Sequence, residues 1–467
     1  MAALSRRTQW LFGTTEGLLL TVTTWVALII AFLSTLSEPM SFLGLQEALG
    51  IQLDAAGRVG RIVMLYHALA IPFVAALTYL ILDLLPFDPG ASRTVRSTIT
   101  VGYVFTSVGG VGFAYLGWGW IAHGLFIVGL SLVFYAGIVL CVGLFPWRRD
   151  AHNPEFSWER LAFFLMALFT LVSAVIGGAT GAYFGNGFSA FLAEDVVGQE
   201  HNLGQRAIIA HLHIMLTLID VALLLIVART FKLRGRAYCL PCDRREHGQA
   251  ALRLTVIGAT VVSFATWSVM FIEEIAHKII NVGAALLLPA GIIVAVQGFS
   301  ILLREQNQTQ AKPIQKLQSL LKDPVRFGIL FELIFVNFVV TGPGVYVAFN
   351  LDRYRQPAYR EVERTIAVGH WHVLATLSAV IALFLVVDRL GVRGRTRQFV
   401  GWGALVGSTL AFVFVQFYMF RRPGQNADWT VPLFDTGVGV FLVTLAVFLG
   451  IYVVRTLFGS ELLQSTD

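Results

Sequence analysis

The sequence predicts an all-α integral membrane protein of about twelve transmembrane helices, with both termini on the inner side (N-in/C-in). Three observations predict it. Of the 467 residues, 56% are hydrophobic and only 13% are charged, about half the charged share of an ordinary soluble domain. A soluble chain this apolar would lack the polar surface to cover itself. The apolar residues fall in runs of about twenty, enough for a helix to cross the hydrocarbon layer. The weak alternating strands of a membrane barrel are not seen. Finally, basic residues are unevenly placed. With an inner N-terminus, 24 of the 34 lysines and arginines fall on the inner side and 10 on the outer side, as the positive-inside rule requires.

The spans are expected near residues 14–36, 62–85, 97–117, 119–145, 159–183, 206–229, 253–276, 279–303, 326–349, 366–388, 399–420 and 432–455. The first is long enough to span and reads as a helix that stays, not a cleaved leader. The net charge of +6 reflects topology, so no nucleic-acid partner is expected. Lys232-Leu-Arg-Gly-Arg236 reads as an inner-loop anchor. Cys239-Leu-Pro-Cys242, with His247 close by, offers three ligands where a zinc knuckle needs four. It reads as a turn that carries two thiols. The polar stretch Gln306–Leu321 suits a short surface helix. No segment reads as a separate soluble domain, so residues 1–467 are expected to form a single transmembrane domain.

A weak repeat runs through the chain. The second span opens Arg61-Ile-Val-Met-Leu-Tyr-His67, the sixth Arg206-Ala-Ile-Ile-Ala-His211-Leu-His213, and the tenth Arg364-Thr-Ile-Ala-Val-Gly-His370-Trp-His372. Each sets an arginine five or six residues before a histidine. The pattern returns every four helices, which suggests three four-helix repeats in a pseudo-threefold arrangement. Ligating residues are costly inside a membrane and mark functional sites. Residues i and i+2 of a helix point about 200° apart. His370 and His372 therefore cannot reach one ligand together but can reach two different cofactors, and at most one of His211 and His213 faces a given metal. Imidazole is the usual axial ligand of haem iron. Glu273, Glu274 and His277, read as the end of helix seven, would share one helix face. Such a carboxylate–imidazole set suits non-haem iron better than copper(I).

At these residues the chain resembles subunit I of the haem–copper oxidase superfamily, and most closely the large subunit of bacterial nitric oxide reductases. The resemblance spans the twelve-helix core. Gly369-His370-Trp371-His372 resembles the family's helix-ten His-x-His, and Ile275-Ala276-His277-Lys278 its helix-seven His-His. The resemblance implies two haems, b-type, and a second metal, non-haem iron or copper. The low-spin haem would be held by His67 and His372, and the high-spin haem by His370. The second metal would take His211 or His213, His277, and Glu274 or Glu273. Lys278 replaces the second helix-seven histidine, so that metal site is incomplete or empty. Met215, Thr217 and Phe271 stand where family oxidases carry a tyrosine that helps split dioxygen.

This pattern implies reduction of nitric oxide to nitrous oxide, with dioxygen reduction as the alternative. The expected location is a bacterial-type inner membrane. Electrons would come from a cytochrome c subunit or domain on the outer face, because no Cys-x-x-Cys-His motif occurs here. Asp220 and Thr217 are candidates for proton transfer, with Glu332 and Asn337 on helix nine similar. His123 reads as structural. Arg61, Arg360 and Arg364, with Arg58, Arg353 and Arg355, would pair with haem propionates through the planar arginine fork, or form a docking or solvated face. Two further readings stay open: a haem-bearing electron-transfer subunit without gas reduction, and a transporter that uses histidines as proton relays.

Overall fold

In the computed structural model, described for residues 2–36, 43–51, 58–116, 119–147, 156–184, 203–233, 244–354 and 356–458, the chain is helical throughout. Twelve helices are long and apolar enough to cross a membrane. They are α1 (Thr15–Thr35), α2 (Arg58–Leu84), α3 (Pro89–Leu116), α4 (Trp120–Leu144), α5 (Trp158–Phe184), α6 (Leu203–Thr230), α7 (Arg244–Ser268), α8 (Glu273–Glu305), α9 (Pro324–Val336, continued through Asn337–Thr341 and Gly342–Phe349), α10 (Arg360–Arg389), α11 (Gly394–Met419) and α12 (Val431–Phe458). The expected polar surface helix is present as Pro313–Leu320. Cys239 and Cys242 lie outside the described residues.

Hydrocarbon offers no water to backbone polar groups, so each span satisfies its own. Capping marks where this internal supply ends. The Thr14 side chain accepts from the Gly17 N–H at 3.0 Å to start α1. Asp323 does the same for α9, accepting from the Arg326 N–H at 3.3 Å with Pro324 in the first turn. Pro72 and Pro289 lie inside α2 and α8, as membrane helices tolerate. Asn337–Thr341 is a π-helical turn within α9, a feature frequent at functional sites.

One boundary differs from the sequence reading. Helix α7 ends at Ser268 and α8 begins at Glu273. Glu273, Glu274 and His277 therefore open helix eight and do not close helix seven. The run Val269-Met270-Phe271-Ile272 is apolar and carries no glycine or proline, so hydropathy runs straight through the turn.

Contacts divide the chain into two compact units. Unit 1 comprises Met1–Phe156 and Ala167–His211, and unit 2 comprises Ser157–Met166 and Leu212–Asp467. In unit 1, α3 and α4 cross at glycines. A Cβ added to Gly109 would lie 2.5 Å from the Phe126 nitrogen, and one at Gly129 would overlap Thr106. The Ser107 hydroxyl ties α3 to α2 by donating to the Ala68 carbonyl at 2.7 Å. In unit 2, α7–α8 meet at Gly258 and Gly283, and α11–α12 at Gly407 and Gly437. The three most extensive helix pairings are α3–α4, α7–α8 and α11–α12. Packing therefore repeats every four helices, with the same period as the histidine pattern. Small residues suit such pairings because dispersion, not water exclusion, joins helices in lipid. The Arg397 guanidinium joins α9, α10 and α11 at one end, meeting Asp323 at 2.8 Å and Asp388 at 2.7 Å.

Helices α2, α6 and α10, which carry the repeated histidine pattern, are the most enclosed. The buried share of the apolar window is 61% for α2, 56% for α6 and 67% for α10, against 28% for α4, α8 and α12. The less enclosed helices turn side chains such as Val142, Val296 and Val454 outward. Gly129→Val should force α3 from α4 and lower stability by about 1–3 kcal/mol, the usual cost of overpacking. Thermal unfolding of the purified protein would measure it. An unchanged midpoint would show that the α3–α4 contact is not tight.

Candidate functional site

The best-defined arrangement of histidines lies in unit 1. His67 sits on α2 one turn after Val63, and its Nδ1 lies 2.8 Å from the Val63 carbonyl. Phe126 meets the ring edge-on at 5.7 Å between centroids. His211 sits on α6, and its Nδ1 lies 2.8 Å from the Ser173 carbonyl of α5. One turn further along α5, Gly177 leaves room for that ring: an added Cβ would lie 2.6 Å from its Cε1. Ser173 and Gly177 thus form an anchor and a recess.

A carbonyl can only accept, so each Nδ1 must carry the proton. That fixes the tautomer in which Nε2 keeps its lone pair, the form that binds metals. The two rings lie within 12° of parallel, with centroids 6.3 Å apart. Two metal–nitrogen bonds of about 2 Å, the length imidazole makes to a first-row metal, plus about 1 Å from each nitrogen to its ring centre, set two axial imidazoles roughly 6 Å apart. The spacing and the tautomers make His67 and His211 a candidate pair of ligands for a single metal ion.

In unit 2, His213 of α6 meets Trp371 of α10 edge-on at 5.7 Å. The Thr217 hydroxyl donates to the His213 carbonyl at 2.9 Å. His370 lies on α10 and is half-buried. Its ring lies against Gly344 of α9, where an added Cβ would come 2.9 Å from Cε1. His372 is on the other side of α10 and is exposed. Asp220 meets the Ser378 hydroxyl at 2.6 Å, so its partner is a serine of α10 and not His213.

His211 faces His67 and Ser173. Glu274 is exposed and pairs with Lys278 at 3.1 Å, so that lysine is a carboxylate partner one helical turn away. His277 is half-buried on α8. Among the described residues, no group of three or more His, Cys, Asp or Glu could hold a metal ion. The side chains of Glu273, Arg58, Arg61, Arg360 and Arg364, and all of Arg355, lie outside the described residues. Arg353 donates to the Tyr359 hydroxyl at 2.8 Å and stacks on its ring. Burial pushes the neighbouring Tyr354 phenol up from its ordinary pKa. The His123 ring packs against Phe113 at 6.0 Å.

Sequence reasoning missed Ser173, Gly177 and Gly344. None belongs to a histidine-bearing helix. The one local signal was the i, i+4 spacing of two small residues, Ser173 and Gly177, on α5. Comparison with protein-family models, with curated proteins and with solved structures finds no match.

Gly177→Val should push the His211 ring off the Ser173 carbonyl. Gly178→Val is the control, because an added Cβ there meets nothing within 4 Å. Haem content per inserted chain is expected to fall in the first variant and hold in the second. Equal content in both would break the link between this recess and the bound group.

Proposed function

We propose that this chain is a multi-pass membrane haem oxidoreductase whose electron-transfer centre is a haem held between His67 and His211. The observation that carries the reading is the near-parallel imidazole pair 6.3 Å apart. A haem with two imidazole ligands supplies one-electron transfer while keeping both axial positions filled. The protein's part is to hold the rings. The Val63 and Ser173 carbonyls hold the Nδ1 protons and raise the basicity of each Nε2. Phe126 and the apolar residues packed around it, Met64 and Ala114, exclude water on the α2 side. This pairing replaces the partnership of His67 with His372 that the family resemblance implies.

A second reading adds gas reduction at a second haem, on His370. It is favoured by the recess that Gly344 gives the His370 ring. The family resemblance gives the reaction: two nitric oxide molecules, two electrons and two protons yield nitrous oxide and water. Dioxygen reduction is the alternative substrate choice. A cytochrome c subunit or domain at the outer face of a bacterial-type inner membrane is the proposed donor.

The test is a reduced-minus-oxidised spectrum of the purified chain with His67→Ala, His211→Ala or His372→Ala. Loss of the same low-spin haem in the first two variants, and its survival in the third, is the expected result. Loss in His372→Ala with survival in His211→Ala would restore the pairing implied by the resemblance. A carbon monoxide response from a second haem would support gas reduction, and its absence would leave electron transfer alone. A chain purified without haem would overturn both readings in favour of histidine-dependent transport.

A further inference from the structure

The α8–α9 and α10–α11 links lie together at one end of unit 2. Arg326 of α9 meets Glu305 of α8 at 2.5 Å. Arg397 of α11 meets Asp323, the residue before α9, at 2.8 Å and Asp388 of α10 at 2.7 Å. The Gln398 side chain of α11 donates to the Lys322 carbonyl at 2.7 Å. The positive-inside rule sets this end at the inner face.

Charge at this end does not balance. Residues 304–326 and 388–398 carry nine lysines and arginines against three carboxylates, Glu305, Asp323 and Asp388. Arg326 and Arg397 take all three. Arg304, Lys312, Lys316, Lys322, Arg393 and Arg395 make no ion pair among the described residues. Four of these, Lys312, Lys322, Arg393 and Arg395, are exposed. Like charges gathered at one end repel, and anions from outside the chain relieve that repulsion.

The surface helix Pro313–Leu320 adds an apolar face to the same end. Pro313 takes its first position, and Gln315 Oε1 accepts from the Lys312 N–H at 3.1 Å. Ser319 is buried, and its hydroxyl donates to Gln306 Oε1 just past the end of α8. Ser319 thus marks the side of the helix held against the protein. Ile314 and Leu317 point about 140° and 160° away from it, and they are 66% and 49% exposed. The helix joins two spans, so it lies at the surface of the hydrocarbon layer. A helix with apolar side chains on one face and lysines off that face suits the headgroup layer.

Size and charge select the occupant. Two apolar side chains on an eight-residue helix fall far short of the roughly 800 Å² per partner that a stable protein interface needs. They suffice to reach into acyl chains already next to the spans. The unmatched charge is positive, and clustered basic residues beside a span complement anionic headgroups.

We propose that this end of unit 2 binds anionic phospholipid. Lys312, Lys316 and Lys322 meet the headgroup phosphate, with their long stems reaching to its level, while Ile314 and Leu317 enter the acyl chains beside it. The site is independent of the haem reading.

The test is native mass spectrometry of the purified full chain in detergent, titrated with phosphatidylglycerol or with phosphatidylcholine. The wild-type chain is expected to bind phosphatidylglycerol more tightly. Lys312→Gln and Lys316→Gln should each weaken that binding about fivefold, the worth of one basic residue at an anionic surface. Ile314→Ser with Leu317→Ser should weaken it as well. Lys278→Gln removes the same charge from an exposed lysine in the first turns of α8, at the other end of that helix, and should leave binding unchanged. Equal affinity of the wild-type chain for the two lipids, or an equal loss in Lys278→Gln, would overturn the proposal. Displacement of the lipid by inorganic phosphate at matching concentration would overturn it in favour of a free-anion site. A dimer lost in the double serine variant, with lipid binding intact, would assign the apolar face to a second copy of the chain and overturn it too.

Discussion

The absence of water in the hydrocarbon layer is the constraint on which this structure depends. It forces the backbone into helices that satisfy themselves, and it makes a polar side chain without a protein partner costly. The histidines show how specific that demand becomes. His67 and His211 each give a ring proton to a main-chain carbonyl. In doing so each frees its opposite nitrogen. The main-chain carbonyl that accepts each Nδ1 proton is what sets the ligand tautomer.

The same constraint explains the packing. With no hydrophobic drive between helices in lipid, close approach depends on small residues. The glycine crossings of α3–α4, α7–α8 and α11–α12 recur every four helices. Three helices outside those pairs, α2, α6 and α10, are the most enclosed and carry the repeated histidines. The repeat thus separates work among helices: glycine pairs provide the framework, and the enclosed helices hold the polar chemistry.

The spans were legible because twenty-residue apolar runs are a strong signal, and the histidines because they interrupt those runs. The α7–α8 boundary was not legible. Val269-Met270-Phe271-Ile272 turns the chain with apolar residues, so Glu273, Glu274 and His277 were set on the wrong helix. The pairing of His67 with His211 was also hidden. The two residues are 144 positions apart, and a local pattern cannot say which of several histidines at one depth will meet. Ser173, Gly177 and Gly344 carry no chemical signature until a ring is set beside them. Asp220 was legible as a lone acid in a span, but its serine partner on another helix was not.

The π-helical turn at Asn337–Thr341 acts as a phase shifter. In a regular α-helix, residues twelve apart such as Glu332 and Gly344 differ in direction by about 120°. A π turn absorbs one extra residue, which cuts that difference to about 20°. The turn therefore aligns the buried Glu332 with the recess for the His370 ring along one side of α9. Removing a single residue from it would leave a sound membrane helix whose two ends no longer address the same side.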